Sequence, residues 1–185
     1  MSTKEKIKNL SNPLPIESID FRIQSINKGG YATILAYKDA RVDMQVLNRE
    51  IGALNWKREH TRDNKNCIVS IWDEEKKLWV SKEDTGTESN SDAEKGLASD
   101  SFKRACFNWG IGIELYDYPV IQIKLFENEW KLVEHNGKQY PKSTFDLKLK
   151  EWRWKSQFDE NGKLTYLGAI DNNKKVRFQF GKLEK

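Results

Sequence analysis

The residues best placed to do chemistry are two neighbouring cations, Lys103 and Arg104, within Asp100-Ser101-Phe102-Lys103-Arg104-Ala105. If this segment is helical, the two side chains leave the axis about 100° apart. They then flank one solvent side, beside Phe107. Two cations on one rigid helix can grip successive phosphates of a strand, Arg bidentately and Lys as a point charge. Asp100 lies one turn earlier, in range of both, and can orient them. The bland alternative is a solvated helix face with an ordinary ion pair worth ~0.3–0.5 kcal/mol. Spacing alone favours that alternative.

Other clusters are weaker. Trp56-Lys57-Arg58-Glu59-His60-Thr61-Arg62 interleaves an aromatic with bases. On a strand, Lys57 and Glu59 face one way and Arg58 and His60 the other, giving a DNA-facing edge or merely an exposed strand face. Trp152-Arg153-Trp154-Lys155 alternates similarly. Its indoles could stack bases, but strand spacing favours covering a core or a subunit interface. Asp73-Glu74-Glu75, with Glu83 and Asp84, could be imagined as a nuclease metal site. The first three sit beside Lys76 and Lys77 and read better as a solvated turn. Asp84 reads as bonding backbone amides where strand meets loop. Gly29-Gly30 and Gly110-Ile111-Gly112 lack the Lys-Ser/Thr sequel of a phosphate loop. Cys67, Cys106, His60 and His135 show no zinc spacing, and both histidines read as surface residues. No cofactor or metal is expected.

The elements that must position Lys103 and Arg104 follow from periodicity and punctuation. Residues 1–15 read as a short helix ended by Asn12-Pro13-Leu14-Pro15. After Gly29-Gly30, Tyr31 to Tyr37 reads as a strand. Lys38 to Ile51 turns helical, with Val42, Val46, Leu47, Ile51 and Ala53 at helical steps and Gly52 as the stop. Short strands follow at Trp56–Arg62, Cys67–Trp72 and Leu78–Val80, with connections short enough for antiparallel neighbours. Ser91 and Glu94 read as a capping box for a helix from about Asp92 to Trp109, stopped by Gly110. Its apolar face is Ala98, Ser101, Phe102, Ala105, Cys106 and Trp109. Strands are then expected at Val120–Phe126, Phe145–Phe158, Leu164–Ile170 and Val176–Phe180. The fold class is α+β: an antiparallel β-meander with a long helix packed across it, plus C-terminal hairpins. One domain over 1–185 is expected, with a core over 20–118 and a β-rich extension over 119–185.

The totals fit a folded, reduced protein. With 185 residues and seven Trp, eight Phe and six Tyr, the chain can build a core and is unlike a disordered segment. A net charge of +4 permits a nucleic-acid partner without demanding one. Two distant cysteines do not make a disulfide scaffold. The lysine-rich Met1–Leu10 segment is no signal peptide, and no apolar run approaches the ~20 residues of a membrane helix. Cytoplasm follows by elimination, with no membrane partner.

Three features, in order, resemble the annealing domain of the Rad fifty-two family of single-strand annealing proteins, including phage relatives of the Sak type. Asn48-Arg49-Glu50-Ile51-Gly52 leads through Asn55-Trp56 into the meander. The third strand ends in Glu83-Asp84-Thr85-Gly86, and the long helix carries Asp100, Lys103, Arg104 and Ala105 and ends at Gly110. Glu88-Ser89, Ala93-Glu94-Lys95-Gly96 and Trp109-Gly110-Ile111-Gly112 resemble the phage branch in particular. The resemblance covers roughly residues 20 to 118; beyond Pro119 it is weak and confined to the phage branch.

The resemblance implies a β-β-β-α core assembled into rings or filaments, with single-stranded DNA in a basic groove. It assigns DNA contact to Lys103 and Arg104, and adds Arg41 near the start of the preceding helix. Lys57 and Arg58, on the Trp56–Arg62 strand, and Lys95 are further candidate DNA contacts. For Arg41 the spacing to Trp56 departs from the family pattern. It implies a binding and pairing protein rather than an enzyme, acting in recombination and repair without ATP. A phage exonuclease or a host single-strand-binding protein is the further partner it brings in, and a phage-infected or prophage-bearing bacterium is the setting. Two rivals stand beside it: a passive single-strand coating protein and, behind that, a metal-dependent nuclease.

Overall fold

The computed structural model describes residues 2–87 and 93–183; the side chains of 93–95 lie outside that description. The expected Ser91–Glu94 capping box and helix start at Asp92 therefore lie outside the described residues. The helices are α1 (Thr3–Asn9), α2 (Ala40–Glu50) and α3 (Ala93–Asn108). The strands are β1 (Ile19–Ile26), β2 (Tyr31–Lys38), β3 (Trp56–Thr61), β4 (Asn66–Asp73), β5 (Leu78–Thr85), β6 (Ile121–Lys124), β7 (Trp130–His135), β8 (Lys138–Ser143), β9 (Arg153–Phe158), β10 (Leu164–Ile170) and β11 (Val176–Gly181). The chain is α+β, with antiparallel strands in several small sheets. It forms two compact units, Met1–Leu14 with Lys38–Ile113, and Pro15–Tyr37 with Glu114–Lys185. Residues 20–37 thus cluster with the C-terminal third rather than with the meander.

The first unit is the expected meander, ordered β3-β4-β5, with α3 packed on it. The register pairs Trp56 with Ile71 and Asn66 with Thr85. Alternation then sends Cys67, Val69 and Ile71 of β4 to the helix side, where all three are buried. They meet Phe102, Ala105, Cys106 and Trp109, also buried, and the Trp109 indole donates to the Val69 carbonyl at 3.0 Å. Burying a side chain the size of Phe102 contributes about 2–3 kcal/mol. The expected apolar face of α3 is therefore the packed one, with Leu97 added and Ala98 half-buried.

The C-terminal end of α3 and its seat against β5 are both set by glycines. The Gly110 amide donates to the Phe107 carbonyl at 2.8 Å and the Ile111 amide to the Cys106 carbonyl at 3.1 Å. That pair of bonds is the Schellman stop, with Gly110 in the left-handed region at φ +95°. Gly86 lies directly against the helix: a Cβ there would come within 2.6 Å of the Ser101 amide nitrogen. Only glycine lets the end of β5 approach the helix backbone so closely.

Helix α2 starts at Asp39, whose carboxylate accepts the Arg41 amide, and buries Val46 and Leu47. Val42 is half-buried, and Ala53, expected on the same stripe, is exposed beyond the helix end. The Asn48 side chain accepts the Trp56 indole at 2.7 Å, and Asn55 donates to the Ile51 carbonyl at 3.2 Å. Asn48, Asn55 and Trp56 thus build the corner between α2 and β3.

The second unit holds two three-stranded sheets, β1-β2-β6 and β11-β10-β9, and the β7-β8 hairpin. Phe21 of β1 stacks on Trp154 of β9 with centroids 3.6 Å apart. Two expectations change here. The strand expected from Phe145 begins only at Arg153, and Phe145 is 88% exposed. Its alternating Phe145, Leu147 and Leu149 mimic a strand. However, the Thr144 hydroxyl accepts the Asp146 amide at 3.3 Å, and Leu149–Glu151 form a 3-10 turn. Strand β1 and the β7-β8 hairpin were not anticipated.

Candidate nucleic-acid interface

The Lys103–Arg104 pair lies on the solvent side of α3, and its two cations diverge. Lys103 is 25% exposed, with its ammonium 4.0 Å from an Asp100 oxygen. Arg104 is 42% exposed and turns toward β5, its Nε 3.4 Å from an oxygen of Asp84. Asp100 therefore pairs with Lys103 and not with Arg104, and its other oxygen accepts the Thr87 amide at 2.9 Å. Asp84 accepts the Thr85 amide at 2.7 Å, as expected for a strand end, and also the Asn108 side chain at 3.2 Å. Surface pairs of this kind contribute a few tenths of a kcal/mol. Their consequence is orientation: each cation is held by one exchangeable carboxylate.

Other expected contacts divide by face. Arg58 lies on the helix side of the meander, over the Phe102 ring at 4.8 Å. Lys57 leaves on the opposite face, over Trp79 at 5.1 Å, so pleating separates the two. Arg41 is 81% exposed at the start of α2, with Nε 3.2 Å from Asp39. The Lys95 side chain lies outside the described residues. His60 is half-buried, its ring 3.5 Å from the Ser101 hydroxyl, and burial with Arg58 beside it lowers its pKa. Trp152 is buried and Trp154 has one face covered by Phe21, so both are packing residues in their unit. Asp73 accepts the amides of Glu75 and Lys76 in its own turn.

Sequence reading missed Lys82, which joins the cationic side of α3. Its ammonium donates to the Asn108 carbonyl at 2.6 Å and lies 4.6 Å from the Trp109 ring centre. The signal was there: alternation from Val80 puts Lys82 and Asp84 on the helix side together. It also missed the ion pair beneath the pair. Lys38 and Asp43 are fully buried and bonded to each other, with the Lys38 ammonium 4.2 Å from the Phe107 ring centre. Asp43 shares the stripe of Val46 and Leu47, and a charge on an apolar stripe calls for a partner.

Burial pushes the Asp43 carboxyl up to about 6, against the opposing pull of Lys38 and, more weakly, Lys103. Because the folded pKa is raised, this group's contribution to stability is greatest below the ordinary carboxylate range. It is lost as pH rises toward 6. A carboxyl-carbon NMR titration of Asp43 is expected to show a midpoint near 6; a midpoint of 4 or below would show that Lys38 outweighs desolvation. Burial likewise raises the thiols of Cys67, to about 11, and Cys106, so neither is poised as a nucleophile.

Among the described residues no three potential metal-binding side chains cluster, and no helix is long and apolar enough to cross a membrane. No known protein-family model matches the chain, and no curated protein matches it significantly.

Proposed function

We propose that this protein binds single-stranded DNA through the solvent side of α3 and pairs complementary strands without ATP. The observation that carries the reading is the placement of Lys103 and Arg104: solvent-reachable, adjacent on one rigid helix, and each held by one carboxylate. A DNA strand can displace such carboxylates because each phosphodiester matches their single charge and the polyanion also releases condensed counterions on contact. Neutralised phosphates lower the repulsion between complementary strands, and base pairing then supplies the free energy. Two contacts per subunit give a slope of about −1.4 in log K against log[salt].

Assembly into a ring or filament, with Arg41, Arg58 and Lys95 as further contacts, belongs to the same proposal. So do a recombination and repair role in the cytoplasm of a phage-bearing bacterial host, and a phage exonuclease or host single-strand-binding protein as partner. Lys57 leaves the meander on the far face from α3 and belongs to a separate contact. The test is direct. Labelled complementary oligonucleotides mixed with the protein, without ATP or metal, are expected to pair faster than alone. Slower pairing would replace annealing with passive coating, and Mg²⁺-dependent shortening of the strands would replace both with a nuclease.

A further inference from the structure

The β7-β8 hairpin carries a charge pattern of its own. Its register sets Lys131 opposite Lys142, Val133 opposite Tyr140 and His135 opposite Lys138. Opposed residues share a face and that face recurs every second residue, so these six side chains line one side of the ribbon. This side has three lysines, a histidine and no carboxylate; Glu134, the one acid of the two strands, lies on the other. Lys131, His135, Lys138 and Lys142 are all exposed, and none has an ion pair or side-chain hydrogen bond among the described residues. Elsewhere exposed lysines do find acids, as Lys77 finds Glu74 at 3.1 Å.

Like charges directly opposed on a sheet are destabilising. In a hydrogen-bonded pair the two Cα atoms are only about 5.5 Å apart. Yet the ribbon is firmly specified. Asn136 and Gly137, at φ 51° and 70°, make the two-residue turn whose twist suits paired strands. Trp130 at the foot packs on Gly30, and the Thr144 amide closes the base on the Glu129 carbonyl at 2.9 Å. A ribbon that aligns unneutralised cations against their own repulsion is suited to a polyanion.

We propose that this face is a second nucleic-acid contact, in which Lys131, Lys138 and Lys142 neutralise backbone phosphates with Tyr140 set among them. The ligand is the phosphodiester backbone. A single strand can lie along the ribbon, and a duplex major groove admits a two-stranded ribbon. The face has only Val133 and Tyr140 as apolar area, too little for the apolar centre of a protein interface. The proposal rests on the DNA-binding reading above for its ligand, but uses none of the α3 residues.

The test is fluorescence anisotropy of the full chain with a labelled single strand and its duplex across a salt series. Lys131→Gln/Lys142→Gln is compared with Lys103→Ala/Arg104→Ala. The hairpin variant is expected to bind at least about tenfold more weakly at low salt. Its salt slope should be shallower by about 1.4 for the single strand or about 1.8 for the duplex. The DNA that responds identifies which backbone is held. Glutamine also removes the cross-strand repulsion, so the variant should melt no lower than the parent, separating lost binding from lost fold. Parental affinity and slope for both DNAs, with the α3 variant weakened, would overturn the hairpin site and leave α3 standing. No binding of either DNA by the parent protein would overturn both. A variant that loses affinity for poly-glutamate but not for DNA would assign the face to an acidic polypeptide instead.

Discussion

Replacing Arg177 by alanine is expected to destabilise the second unit by about 3 kcal/mol, the low end for a broken buried ion pair. The guanidinium donates to both oxygens of Glu129, at 2.9 and 2.7 Å, and to Asp171 at 3.2 Å. All three side chains are at most 7% exposed. The guanidinium also lies 4.2 Å from the Phe126 ring centre and 4.4 Å from that of Trp152. A cleft of about 260 Å³ opens beside the cluster and admits water, which is why the low end applies. Without Arg177, Asp171 keeps the turn amides of Asn173 and Lys175, but among the described residues Glu129 keeps only the Phe126 amide.

The pH dependence follows with a definite sign. Burial raises the Asp171 carboxyl, but the Lys175 amide and the Arg177 guanidinium together outweigh it and hold it below the ordinary value. Its stabilising contribution is therefore present above the ordinary carboxylate range and lost as pH falls through the depressed value. The difference between parent and variant should therefore hold from neutral pH down to the ordinary carboxylate range and shrink only below it, as Asp171 is protonated. Urea denaturation followed by the second unit's indoles measures it. A loss under about 1 kcal/mol, or a difference independent of pH, would show the cluster to be solvated and weak.

How much of this was legible depended on whether the signal was local. The apolar face of α3, its Gly110 stop and the three-stranded meander all follow from spacing and turn residues within a few positions. The β7-β8 hairpin was equally local: Asn136-Gly137 between alternating strands is a strong turn signal. Lys131, Glu134, His135 and Lys138 mask that signal, because they interrupt the apolar alternation that marks a half-buried strand. Other features were not local. Arg177 meets Glu129 across 48 positions, and Arg104 meets Asp84 across 20. Such pairs depend on tertiary register, which no window around either residue contains. The close approach at Gly86 shows the same division. The glycine was visible as part of the motif, but its reason, contact with the Ser101 backbone, was not. The cations of the candidate site were thus readable, while the carboxylates that aim them were only half so.

The aim of those cations makes the second large prediction quantitative. Lys103→Glu/Arg104→Glu is expected to weaken single-strand binding by more than about a hundredfold at low salt, with the fold retained. Removing two phosphate contacts takes about 1.4 from the salt slope. Over the roughly 1.3 decades between 50 mM and 1 M that amounts to nearly two decades in affinity, and reversing the charge adds repulsion. The ion pairs lost, to Asp100 and Asp84, are half-buried at the surface of the unit and cost about 1 kcal/mol or less each. The melting temperature should therefore stay within a few degrees of the parent. A charge-matched control lies in the turn between β4 and β5. Lys76→Glu/Lys77→Glu changes the net charge equally, at side chains 69% and 72% exposed, and should leave most of the affinity intact. If the α3 and control variants lose affinity alike, overall charge rather than the helix governs binding. If the α3 variant still differs from the parent as salt approaches 1 M, its loss is not electrostatic. Convergence at high salt, with a wide gap at low salt, is what phosphate contact by this helix requires.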